Sequence, residues 1–384
     1  MAISDKPLPT CWSEIAKASV DVQLARFHQA VAQIRPEDVK LGFRAFAAEL
    51  LARNLISMPQ YVSVFGGNAL NYLSLDGSGM FRDMASDADA SVLAAIYSRA
   101  KYGSLRDIHY LAWQVIEHLS VQLDDPESHW GCLFRTARAC GDNVVMMTTG
   151  WRNVPSTANV LYGIVVDEIN VKLAHMGLPT IINIKLPRIA PPCENYASLS
   201  TEERERVNLT QDHVIPAENF YRWGGIHVIF GDDVLVTGST ADKILYESML
   251  NGAKSFQAIY PVVIDPQVAL ADATVEEHLN MVVIKRQLDD TLAMLLSEPD
   301  YQPILRTLRL VFSEANREAL AAFLPRVPVE SWLRLYKAAL GNEFLGQVEC
   351  VPSLAMLKLY LADAGLLNSK GMVDQRRMAG RVGS

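Results

Sequence analysis

The residues with the most chemical content lie in one run, His227-Val228-Ile229-Phe230-Gly231-Asp232-Asp233-Val234-Leu235-Val236-Thr237-Gly238-Ser239-Thr240. An apolar stretch ends in two adjacent acids, and a turn of small hydroxyl-bearing residues follows. Each part has a physical use. Gly238 permits a tight backbone turn, and Thr237, Ser239 and Thr240 offer hydroxyl donors. The amide groups that open a following helix present the positive end of its dipole, so such a turn suits a phosphate. Carboxylates accept hydrogen bonds from sugar hydroxyls. Phosphate donors and hydroxyl acceptors about one turn apart describe a ribose 5-phosphate site. The plainer alternative is that Asp232-Asp233 ends a strand and Thr-Gly-Ser-Thr caps a helix.

These residues need a sheet edge to hold them. Val144 to Thr149 is a short β-compatible run, Trp151 to Pro155 a loop, and Ser156 or Thr157 a cap for a helix with Leu161, Val165, Ile169, Leu173 and Met176 on one face. Gly177 ends that helix, and Thr180 to Leu186 reads as a second strand, which completes a βαβ crossover. Ile226 to Phe230 is a third strand. A helix through Leu250 and a fourth strand near Gln257 to Ile264 give a second crossover, so a parallel sheet is expected. The fold class is α/β, with a central domain over 141–270 between helical regions at 1–140 and 271–384.

In the first flank, apolar positions recur at helical spacing in Phe43 to Leu55 and Ile108 to Leu119. Phe65-Gly66-Gly67-Asn68 and Asp76-Gly77-Ser78-Gly79 read as turns. In the second flank, Thr274 and Glu277 have capping-box spacing ahead of one helix over Leu279 to Leu296, and helices continue over Pro303 to Phe323 and Ser331 to Leu340. Gln375 to Ser384 reads as a frayed basic tail.

The composition narrows the function classes. The 384 residues are 50% hydrophobic and 20% charged, as in globular proteins. A net charge of −8 gives no broad attraction for nucleic-acid phosphates, so no nucleic-acid partner is expected. Cys11, Cys132, Cys140, Cys193 and Cys350 form no metal-ligand or disulfide pattern. His175 and His227 lack a second ligand at metal spacing, and Asp167-Glu168 reads as an exposed helix face. No signal-like or membrane-spanning apolar run occurs, so the expected location is cytoplasmic, with no membrane partner.

The run 227–240 closely resembles the phosphoribosyl pyrophosphate signature of type I phosphoribosyltransferases: apolar residues, two acids, then a Thr-Gly-x-Thr type loop. Gly231 stands where that family more often has an aliphatic residue. The resemblance implies a sheet of phosphoribosyltransferase type, with Asp232 and Asp233 on the ribose hydroxyls and Thr237, Gly238, Ser239 and Thr240 around the 5-phosphate. It implies that the loop 149–156 holds pyrophosphate, with Arg152 as its cation and Ser156 and Thr157 assisting, although Arg152 reads equally as a surface charge. Lys185 and Arg188 would counter the leaving group. Residues 195–210, with Tyr196, Ser198, Arg204 and Arg206, would form a closing lid, although Ser200 and Glu203 equally start a solvated helix.

The implied activity is transfer of ribose 5-phosphate from phosphoribosyl pyrophosphate to a nitrogenous small-molecule acceptor. Pyrophosphate would leave with Mg2+ bridged by substrate oxygens and no dedicated protein metal site. The helical flanks, Tyr260 and Asp265 are candidates for recognising the acceptor, and the resemblance allows a homodimer. A noncatalytic sensor of phosphoribosyl pyrophosphate is the alternative, and an interaction module with a relic site is a third.

Overall fold

The computed structural model describes residues 11–32, 38, 42–151, 153–187, 224–272, 274–368 and 370–373. Among the described residues, seven strands form one mixed sheet: β1 Gly67–Leu75, β2 Phe81–Asp83, β3 Asn143–Trp151, β4 Ile181–Pro187, β5 Ile226–Gly231, β6 Val234–Leu235 and β7 Ser255–Ile264. Their order is β2-β1-β7-β5-β3-β4, with β6 beside β7. The pairs β1·β7, β3·β5, β5·β7 and β6·β7 are parallel, and β1·β2 is antiparallel. The chain is thus α/β with a mostly parallel sheet flanked by helices.

Helices in the first 140 residues are α1 Trp12–Ile15, α2 Val20–Ala32, α3 Phe43–Ala52, α4 Met58–Ser63, α5 Ser91–Lys101, α6 Leu105–Asp124 and α7 His129–Cys140. They are followed by α8 Thr157–His175, α9 Ser239–Leu250, α10 Pro266–Ala271, α11 Val275–Asn280, α12 Asp290–Leu296, α13 Leu305–Phe312, α14 Arg317–Phe323, α15 Val329–Gly341 and α16 Val351–Asp363. The chain divides into two compact units, one of Met1–Ala90, Ala112–Thr148 and Tyr162–Glu276, the other of Ser91–Leu111, Thr149–Leu161 and Glu277–Ser384.

In the first unit the sheet carries the core. Val145, Met147, Val228, Phe230, Ala258 and Tyr260 on one face join Trp12, Phe27, Phe43, Phe46 and Phe65 in a single apolar cluster. The first 140 residues are therefore not only helical. Gly66, at φ +66°, turns the chain out of the α4 region, and β1 begins at Gly67, where a side chain would meet the Ala258 carbonyl at 2.5 Å. Asp76 closes the β1–β2 hairpin by accepting from the Ser78 and Met80 amides at 2.8 and 3.0 Å.

The second unit has its own core, including Leu292, Leu296, Leu308, Val311, Phe312, Trp332, Leu335, Phe344 and Leu357. Here the single helix expected over Leu279 to Leu296 is two. The Ser98 hydroxyl accepts from the Val283 and Ile284 amides at 3.0 and 3.3 Å, which diverts the chain, and Asp289 caps α12 by accepting from the Leu292 amide. Glu277 is no capping residue: it pairs with Arg286 at 2.7 Å and Arg306 at 3.1 Å. Burial pushes its carboxyl up, but the two guanidinium groups outweigh this and hold it below the usual value.

Candidate functional site

Strand β5 delivers the two acids. Gly231 pairs with Ile259 and Val234 with Val262, so the backbone passes Asp232 and Asp233 without losing register beside Tyr260 and Pro261. The Asp232 amide donates to the Ile259 carbonyl at 3.4 Å. In a parallel ladder the Asp232 carbonyl would then accept from residue 261, which is proline and has no N–H. Tyr162 on α8 replaces that donor, with its hydroxyl placed against the carbonyls of Asp232, at 3.2 Å, and Ile259. Gly231 is what admits the ring: a Cβ there would lie 2.5 Å from Tyr162 carbons. The departure from an aliphatic residue thus has a packing cause.

Asp232 is half-buried, and its Oδ1 accepts from the Asp233 amide at 3.0 Å; Asp233 is buried. The chain then runs through β6 into a turn whose Gly238, at φ +73°, is the N-cap of α9. Gly238 has no side chain to cap that helix, and its first amide groups have no acceptor within it. Ser239 and Thr240 begin α9 and are half-buried.

The turn is more covered than an open phosphate cradle. Thr237 is 9% exposed, and Gly238 is buried beneath the ring of Phe65, which a Cβ at Gly238 would meet at 2.2 Å. Arg44 on α3 donates to the Thr237 carbonyl and, at 3.3 Å, to the Ser239 hydroxyl; it pairs with Asp242 of α9 at 3.4 Å. The Thr237 and Ser239 hydroxyls lie 3.2 Å apart. Arg44 was not found from sequence, because nothing within its own helix marks it, and it sits 193 positions from Thr237.

Tyr260 is buried on the sheet face that carries Phe230, their rings 6.4 Å apart in a T-shaped arrangement. Burial first, then the charges of Asp232 and Asp242, push its phenol well above the ordinary value, so it remains a donor. Asp265, the other residue considered for the acceptor, caps α10 by accepting from the Gln267 amide at 2.9 Å and takes the Ser74 hydroxyl at 2.9 Å.

No family model, curated protein or solved structure matches the chain. The residues themselves carry the functional argument.

Arg152, Arg188 and the proposed lid residues Tyr196, Ser198, Arg204 and Arg206 lie outside the described residues, as does the side chain of Lys185, whose backbone belongs to β4. Ser156 and Thr157 belong to the second unit. There the Ser156 amide donates to Asn159 at 2.8 Å and the Asn159 amide to Ser156 at 3.2 Å, while Thr157 donates to the Ala100 carbonyl at 3.4 Å. Their polar groups are engaged in capping and tertiary bonds.

His227 lies at the amino ends of the strands. Its ring nitrogens face the Ser255 hydroxyl at 2.8 Å and Asp142 at 3.3 Å, and Lys254 pairs with Asp142 at 2.6 Å. The network joins the starts of β5 and β7 to the residue before β3. Among the described residues no group of three or more His, Cys, Asp or Glu is placed to hold a metal ion, and no helix is long and apolar enough to cross a membrane.

Proposed function

We propose that residues 232–240 bind phosphoribosyl pyrophosphate and that the chain transfers its phosphoribosyl group to a nitrogenous acceptor. One observation carries the reading. A single nine-residue stretch leaves the carboxyl end of a parallel strand, carries a half-buried acid beside β7, and ends at a helix N-terminus whose N-cap is glycine. Ligands of open α/β sheets bind at that edge. Asp232 and Asp233 accept the ribose hydroxyls, and Ser239, Thr240 and the first α9 amides receive the 5-phosphate.

Asp242 in the first turn of α9 opposes an anion there, and Arg44 offsets it. The acceptor nitrogen attacks the anomeric carbon as the bond to pyrophosphate breaks, and the chain's part is to align the two and exclude water. Magnesium, when bound with the substrate, neutralises the leaving pyrophosphate.

The covered turn favours a second reading, a noncatalytic sensor in which ligand arrival rearranges Arg44. Calorimetry with phosphoribosyl pyrophosphate and magnesium tests the site. The variant Asp232→Asn with Asp233→Asn should lose binding while keeping a native circular dichroism spectrum, and unchanged affinity overturns the reading. A panel of bases and amides then separates the two activities: acceptor-dependent pyrophosphate release marks a transferase, and tight binding without turnover marks a sensor.

A further inference from the structure

Two tyrosines flank the acids from opposite faces of the sheet, and the fold treats them differently. The Tyr162 hydroxyl is placed against two backbone carbonyls. Tyr260 is 1% exposed, and its enclosed hydroxyl has no hydrogen-bond partner among the described residues. Native folds match nearly all buried polar groups, so each exception calls for an explanation. Packing supplies none, because phenylalanine would fill the same volume against Phe230 without the unmatched hydroxyl.

Position supplies one. Gly231 pairs with Ile259 and Val234 with Val262, which sets Tyr260 beside Asp232, the half-buried acid of the pair. The pairing therefore sets Tyr260 beside the group suited to sugar hydroxyls, and the same nine-residue stretch leads from that group to the helix end suited to phosphate.

We propose that the Tyr260 hydroxyl is a direct ligand contact of this site, donating to an oxygen of a pentose phosphate held between Asp232 and the amino end of α9. The inference rests on the reading of residues 232–240 given above, and it turns Tyr260 from an acceptor-recognition candidate into a pentose-phosphate contact. Ribose 5-phosphate is the appropriate probe, since it carries the sugar and the 5-phosphate but needs neither acceptor nor a leaving group.

Calorimetry on the full chain compares the wild type with Tyr260→Phe. The expected result is an affinity about tenfold weaker in the variant, the size of one lost ligand hydrogen bond. The melting temperature of the ligand-free variant should equal or exceed that of the wild type, because an unmatched buried hydroxyl has been removed. Unchanged affinity for ribose 5-phosphate overturns the role of Tyr260 and leaves the site standing. A variant that melts lower or fails to fold overturns it too, since the hydroxyl would then have a structural partner. If the wild type binds neither ribose 5-phosphate nor phosphoribosyl pyrophosphate, the reading of the site falls, and this contact with it.

Discussion

At the scale of single residues, the glycines separate what sequence can reveal from what it cannot. Gly238 was legible as a turn residue, and its φ of +73° bears that out; that Phe65 occupies the space above it was not legible, because the ring comes from a distant segment. Gly231 read only as a departure from a pattern, and its reason is the Tyr162 ring 2.5 Å from where a Cβ would be. Replacing Gly231 with valine should destabilise the fold by about 3 kcal/mol, the upper end of overpacking costs, measured by urea denaturation. Arg44 belongs to the same lesson. On the proposed reading, Arg44→Ala should weaken binding of phosphoribosyl pyrophosphate, since it removes a guanidinium that offsets the Asp242 carboxylate near the phosphate. A calorimetric titration that gives equal affinities for variant and wild type refutes that role.

At the scale of elements, the strands that hold the acids were legible because they are short, continuous apolar runs buried on both faces. Strand β1 was not. Of its nine residues only Leu73 is buried, and Gly67, Asn68 and Asn71 interrupt the pattern, so its place depends on its backbone ladder to β7. The Asn71 side chain donates to the Pro261 carbonyl at 2.8 Å. Proline at 261 leaves a gap in the ladder that Tyr162 fills, so Tyr162→Phe should cost about 1–3 kcal/mol, the penalty of an unmatched buried acceptor, seen as a lower denaturation midpoint. At the other end of the sheet, Lys254, and to a lesser extent His227, hold the Asp142 carboxyl below its ordinary value of 3.8. A carboxyl depressed in the folded state stabilises it above the unfolded value and loses that contribution as pH falls through the folded value. Asp142→Asn should therefore be less stable than wild type at neutral pH, with the difference narrowing below about pH 4 in acid denaturation.

At the scale of the whole chain, the α/β domain read over 141–270 is joined by residues outside those bounds: β1 pairs along β7, and Phe65 and Arg44 complete the turn at Gly238. A fragment confined to 141–270 should expose β7 as an apolar strand edge and self-associate, which light scattering would detect. The order of synthesis adds a consequence. Asn71 leaves the ribosome 190 positions before Pro261, the residue it bonds. At translation rates of about 5–20 residues per second, the nascent β1–β2 hairpin waits roughly 10–40 s for its neighbour, a window in which a chaperone would shield it.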